Sequence, residues 1–449
     1  MAITTTANIP LNNPARGKTD LRAMSIATAL FFMWGFLTSL NDILIPHLKG
    51  VFELSYAQAM LIQFAFFSSY FIFALPAGKL VEWRGYKQTM VIGLIVMAAG
   101  ALLFLPASML ASFGLFLSAL VVLAAGITCL QVSANPYVSS LGPERTAASR
   151  LNFSQAFNSL GTTLAPILGG ALILGSTQIE PEKLHSLSAA LLQSYRAQQA
   201  SSVRIPYLGI ALTLLTLALA LALVKLPPLI SSHITSDFRP GQATEALSDR
   251  NSIWRHRWLL MAALGIFLYV GAEVSIGSFL VSYFGLPQIT SMPERTAARY
   301  VGLYWGGAMV GRFVGSAVLQ RVRTGLVLGF VATVACLLVV TSMLSHGSMA
   351  MWAIIMVGLF NSVMFPNIFT LGLSNLGPLT SKGSSLMIAA IVGGALLPLL
   401  EGHLADQIGV QHAFIVPALC YVYIAGFGFA ARNLLTSTSS IATISDQGT

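Results

Sequence analysis

Twelve apolar runs dominate this sequence, and no other feature restricts its fold as much. They fall near 22–46, 57–81, 88–107, 111–139, 150–175 and 206–225, then near 258–285, 298–320, 325–345, 349–376, 384–405 and 412–432. A helix needs about 20 mostly apolar residues to cross the hydrocarbon core of a bilayer. In lipid every backbone N–H and C=O must find its partner within the protein, so such runs cross as helices. Only 9% of the residues are charged and 55% are apolar, whereas soluble domains carry roughly 25% charged residues. Water cannot solvate a surface of that composition. It excludes an ordinary cytosolic enzyme, a disordered or collagen-like chain and a nucleic-acid-binding protein. The predicted fold is all-α and integral to the membrane, with 12 transmembrane helices in two six-helix bundles.

The division into six and six rests on a polar stretch over 226–257. It holds Pro227, Pro228, Ser231, Ser232, Asp237, Arg239, Glu245, Asp249, Arg250, Arg255 and Arg257, a linker composition. The sequence thus predicts a tail over 1–20, a first bundle over 21–225, a linker over 226–257, a second bundle over 258–432 and a tail over 433–449. A comparable polar loop, 176–205, falls between the fifth and sixth runs. Lys and Arg resist translocation, and 18 of the 24 fall on one side of the membrane if the N-terminus is cytoplasmic. Both termini and the linker are therefore expected inside. Residues 1–20 lack the apolar core and cleavage site of a signal peptide. Cys129, Cys336 and Cys420, odd in number and scattered through apolar runs, read as core residues and form neither a disulfide framework nor a metal site.

One string recurs. Gly78-x-x-x-Glu82-x-x-Gly85 ends the second run and Gly402-x-x-x-Asp406-x-x-Gly409 ends the eleventh. The two runs cross in opposite directions, so the string finishes on opposite faces, as inverted-topology repeats require.

Two bundles of six suit rocking about a central site. No nucleophile elbow, metal spacing or phosphate-binding glycine loop falls within the runs, so the sequence predicts a transporter with no cofactor, no metal and no enzymatic activity. Its function then depends on polar groups at mid-depth. Asp42, after Asn41 in the first run, is a carboxylate where lipid surrounds the helix, and such a group costs about 2.5–3.5 kcal/mol at a helix centre. It is the leading candidate for a group that binds a proton facing one side and releases it facing the other. Glu273 is the second acid well inside a run: a further proton site, an acceptor for substrate hydroxyls or a partner for Arg312. Glu401 reads as structural. The carboxamides Asn41, Gln63, Gln131, Asn135, Gln155, Asn158, Asn361 and Asn367 both donate and accept without charge, which suits binding of a neutral polyol. Gln155 with Asn158, and Gln131 with Asn135, each share a helix face. Trp34, Trp305, Phe365 and Tyr269 offer ring faces to substrate C–H groups. Gly78, Glu82, Arg84, Gly85 and Lys87 read as gate or bundle-contact residues.

The same Gly78-x-x-x-Glu82-x-x-Gly85-x-Lys87 string resembles the loop signature of the major facilitator superfamily, with Glu82 where Asp is usual and Tyr86 where a basic residue is usual. Leu40-Asn-Asp42-Ile-Leu-Ile-Pro46, Ser133-Ala-Asn135-Pro136-Tyr137, Leu141-Gly-Pro143-Glu144 and Gln155-Ala-Phe-Asn158-Ser-Leu-Gly161 are similar to strings of its fucose–galactose–glucose:proton symporter family, over about 22–432. That resemblance implies the major facilitator fold, an essential aspartate at Asp42, and tryptophan and amide ligands at Trp34, Gln155 and Asn158. The family's fucose permease has glutamate where Gln131 stands, tryptophan at Gly277, tyrosine at Phe365 and glutamine at Glu273. The strings around Gln131 and Glu273 are instead similar to the glucose/galactose branch. The implied function is import of glucose/galactose-type hexoses with protons across a bacterial inner membrane, by a monomer. Alternatives are an N-acetylglucosamine or other sugar permease, sodium coupling, or a non-transporting sugar sensor; the last usually carries a long cytoplasmic extension.

Overall fold

The computed structural model describes residues 19–52, 56–110, 112–173, 204–227 and 252–434; the side chains of 40–52, 56–61, 63, 166–173, 294 and 295 lie outside that set. Most of the 226–257 linker, the 176–205 loop, both tails, and the side chains of Asn41, Asp42 and Gln63 therefore fall outside the described residues.

The first bundle comprises α1 (Leu21–Phe52), α2 (Tyr56–Met109), α3 (Phe113–Ser140), α4 (Ala147–Ile173) and α5 (Arg204–Leu223). Asp20 caps α1 by accepting the Ala23 N–H at 3.0 Å, and Ser112 faces the first turn of α3. The 54-residue α2 supplies two crossings. It bends at Gly85 (φ 79, ψ 170), a backbone region that only glycine enters freely. Gly409, at the end of the recurring string, has φ 83 and ψ 153. Both copies of the string end in the same glycine turn.

The second bundle comprises α6 (Arg257–Phe284), α7 (Glu294–Val318), α8 (Thr324–Leu344), α9 (Gly347–Asn361), α10 (Met364–Leu373), α11 (Thr380–Ala389), α12 (Gly393–Ile408), the short α13 (Val410–Ala413) and α14 (Ile415–Ala430). The runs expected at 349–376 and 384–405 are each broken in two, α9 with α10 and α11 with α12. The described residues trace twelve crossings in all. Pro366 explains the first break. It has no N–H for the Ser362 carbonyl one turn earlier, and that carbonyl accepts from Arg312 Nε at 3.2 Å.

In the first bundle α1 packs on α4, and α2 on α3 and α5; in the second, α6 packs on α10, α12 and α14, and α8 on α14. The bundles meet where α4 faces α7 and α11 faces α2 and α3. Phe71, Ile72, Leu212, Leu219, Leu337, Leu399 and Leu419 are exposed on the outer surface, where lipid solvates them. Among the described helices, α4 and α7 lack an 18-residue stretch apolar enough to read as a span. These two face each other across the bundle interface, so their polar side chains point into the protein and away from lipid.

At the basal end, where α5 finishes and α6 starts, hydrogen bonds tie the bundles together. Ser149 Oγ donates to Ser316 O at 2.7 Å, Ser381 Oγ to Gly78 O at 2.9 Å, and Asn152 Nδ2 to Asn367 Oδ1 at 3.0 Å. Ser384 Oγ donates to Val132 O at 2.9 Å, the carbonyl that Pro136 leaves without its helical partner. The α3–α4 turn beside them is fastened by buried Arg150, which donates to the Val138, Pro143 and Gly142 carbonyls.

Candidate functional site

Above this closed basal contact lies a cavity of about 720 Å³ between the bundles, within the roughly 300–1,000 Å³ of small-molecule sites. From the first bundle it is lined by Trp34, Thr38, Phe66, Tyr70, Gln131 and a polar stripe on α4; from the second by Tyr269, Glu273, Gly277, Trp305, Arg312 and Phe365. The stripe runs Gln155, Asn158, Ser159, Thr162, Thr163. Its spacing of three, four, seven and eight residues is one helix face.

The carboxamides differ in what they have left to offer. Gln155 is buried against the cavity, and its side chain makes no hydrogen bond among the described residues. Gln131 Nε2 donates to Tyr70 Oη at 3.1 Å. Asn158 Nδ2 donates to Phe31 O at 3.0 Å, so its amide both lines the cavity and joins α4 to α1. Trp34 is nearly buried and packs on Phe31 with ring centroids 5.2 Å apart. Phe365 stacks on Phe369 and approaches Tyr269 at 6.3 Å. A Cβ on Gly277 would stand 3.0 Å from Trp305 Cζ2. The Trp305 ring thus covers the space above Gly277.

Glu273 accepts from Tyr269 Oη at 2.8 Å, one turn earlier on α6, and lies 4.0 Å from Arg312 Nη2. Arg312 also reaches across the interface to Ser159 Oγ and to Gln155 O at 3.5 Å. One guanidinium therefore joins the acid of the second bundle to the polar stripe of the first, at the cavity floor.

Three of the sequence-selected amides do not line this cavity. Asn135 is one turn below Gln131, about 6 Å closer to the basal end, fully buried and without a hydrogen-bond partner. Asn361 donates to Tyr304 Oη at 3.2 Å behind the wall. Asn367 is the basal acceptor of Asn152. Helical spacing shows which residues share a face but not how deep the cavity reaches. Tyr70, Ser159, Thr162 and Thr163 were absent from the sequence selection, although the last three lie on the Gln155–Asn158 face. Among the gate residues, Gly78 touches α11, since a Cβ there would be 1.8 Å from Ser385 Oγ. Lys87 Nζ donates to Ala222 O at 2.8 Å, and Arg84 lies over its neighbour Trp83, both it and Glu82 being exposed. Among the described residues no three His, Cys, Asp or Glu converge as metal ligands.

Two six-helix bundles enclosing a polar and aromatic cavity define a multi-pass membrane protein of the two-bundle transporter class. Residues 26–389 match the family model described as Major Facilitator Superfamily. The chain is 49% identical to the glucose/galactose transporter of Brucella abortus, covering 94% of this chain and 98% of that one. It is 43% identical to the putative glucose/galactose transporter of Helicobacter pylori, covering 90% and 95%. The crystal structure of the transporter FucP in the outward conformation superposes with a TM-score of 0.82 at 36% identity, covering 91% of this chain and 98% of that one. The chain belongs to the Major Facilitator Superfamily, within the family of fucose, galactose and glucose proton symporters.

Proposed function

We propose that this protein imports hexoses of the glucose/galactose type together with protons, by alternating access between the two bundles. The observation that carries the reading is the carboxamide of Gln155, without a hydrogen bond among the described residues and set in a cavity walled by Trp34, Trp305 and Phe365 and closed at its basal end. A hexose presents hydroxyls around its rim and C–H groups on its faces, so amides and rings together match it. Relatives at 49% and 43% identity are named as glucose/galactose transporters, which supports the same cargo here.

In this reading Asp42 carries the coupled proton, supported by its place in the first apolar run and by the family resemblance around it. Protonation facing outward favours the loaded state, and release inside resets the cycle. The protein works as a carrier, without cofactor or catalytic step, as a monomer in a bacterial inner membrane. Both termini and the 226–257 linker are cytoplasmic, so the basal end faces the cytoplasm and the structure is closed on that side. The linker separates bundles over 21–225 and 258–432.

The test is counterflow in proteoliposomes with a panel of unlabelled sugars, followed by uptake under an imposed pH gradient. Glucose and galactose should compete, and Asp42→Asn should exchange sugar without accumulating it. Competition by N-acetylglucosamine alone would replace the cargo, and accumulation that follows a sodium gradient would replace the ion. Asp42→Asn accumulating like the wild type would remove Asp42 from the coupling role.

A further inference from the structure

Behind the cavity wall, inside the second bundle, lies a carboxyl group that the cavity does not use. Glu401 on α12 is 0% exposed, and neither of its oxygens has a hydrogen-bond partner. The groups that face it come from three helices. Ser275 on α6 presents a fully buried hydroxyl that is itself unpartnered, Tyr304 on α7 lies within its field, and so does Cys420 on α14. On its own helix His403 is exposed and paired with Gln407, away from the bundle interior. No described Lys, Arg or His pairs with Glu401.

Charge counting then limits its state. Arg312 enters this bundle but already serves Glu273, the Ser362 carbonyl and α4. None of its described contacts reaches Glu401. A buried carboxylate with no cation beside it and only one serine hydroxyl facing it is heavily penalised, whereas the protonated acid is not. In the same bundle the Tyr304 hydroxyl oxygen accepts from Asn361, and Tyr421 keeps an unpartnered buried hydroxyl.

We propose that Glu401 is a second proton-binding residue, which holds its proton inside the second bundle, apart from the cavity. In the present geometry Glu273 is the carboxylate beside Arg312 and Glu401 carries the proton. The site is distinct from Asp42, and its role in coupling rests on the transport reading above.

The experiment is infrared difference spectroscopy on the purified full chain in lipid, with Glu401→Gln and Glu401→Asp beside the wild type. A protonated-carboxyl C=O band should be present at neutral pH, absent in Glu401→Gln and shifted in Glu401→Asp. In proteoliposomes Glu401→Gln should keep counterflow and lose accumulation driven by a pH gradient, while Glu401→Asp restores part of it. The proposal is overturned if neither variant changes the band, or if Glu401→Gln accumulates sugar with the wild-type pH profile. Wild-type protein without counterflow would sink the sugar-carrier reading instead, and the infrared band would still decide whether Glu401 holds a proton.

Discussion

Asn152 of the first bundle donates its side-chain amide to Asn367 of the second at 3.0 Å, with both residues fully buried. The bond joins α4 to α10 below the cavity, so it exists only while the basal end is closed. A hydrogen bond between buried groups contributes about 0.5–1.5 kcal/mol net, enough to move a two-state equilibrium several-fold. Asn367→Ala should shift the protein toward the basally open state. Alkylation of a cysteine introduced at Ser384 should then be faster than in the parent carrying Ser384→Cys alone.

Gly78 tests the same closure by sterics. Its carbonyl accepts from Ser381, and a Cβ at this position would overlap Ser385 Oγ at 1.8 Å. Gly78→Val should insert and fold, because α2 is helical there, yet fail to close at the basal end. The expected outcome is loss of net uptake with wild-type amounts of protein in the membrane.

A proline sets up a third basal contact. Pro136 deprives the Val132 carbonyl of its helical donor, and Ser384 supplies one from the other bundle. Pro136→Ala gives that carbonyl an N–H within α3, so the cross-bundle bond loses its advantage. Ser384→Ala in the Pro136→Ala background should therefore alter basal accessibility less than it does in the wild type, a non-additivity that a double-mutant cycle measures.

Gln155 and Asn135 separate cavity ligands from buried amides that only resemble them. Gln155→Ala removes an amide from the cavity lining and should raise the half-saturation for sugar by about tenfold, equivalent to about 1.4 kcal/mol. Asn135→Ala should leave sugar affinity unchanged, because the side chain lies below the floor. It should not lower thermal stability in detergent, since the amide it removes is buried without a partner.

Arg312 and Glu273 form one unit. Arg312→Gln leaves Glu273 without its cation and strips Ser159 and Ser362 of a donor. The pair is only partly buried at the cavity edge, so its loss costs less than the roughly 3–5 kcal/mol of a fully buried pair. Thermal unfolding in detergent should show a moderate drop for Arg312→Gln. The double variant with Glu273→Gln should recover part of it.

Much of the architecture was legible in the residues. The twelve apolar runs, the division into halves and the glycine string at Gly85 and Gly409 all follow from local chemistry: hydrocarbon solvent demands apolar length, and a left-handed turn demands glycine. The α4 stripe was legible as well, because one helix face is a matter of spacing, although only Gln155 and Asn158 were drawn from it. Depth was not. Asn135 and Gln131 share a face, and only the place where the bundles touch puts one in the cavity and the other beneath it.

What the chain alone determined is therefore the set of crossings, their order and the side chains each one presents. Which carbonyls freed by Pro136 and Pro366 find donors, which acid Arg312 neutralises, and which amide stays unpaired were decided by packing between the bundles. Those partners lie up to some 300 residues apart, as Gly78 and Ser381 do, and hydrogen bonding at such separations depends on three-dimensional distance, which no local pattern encodes.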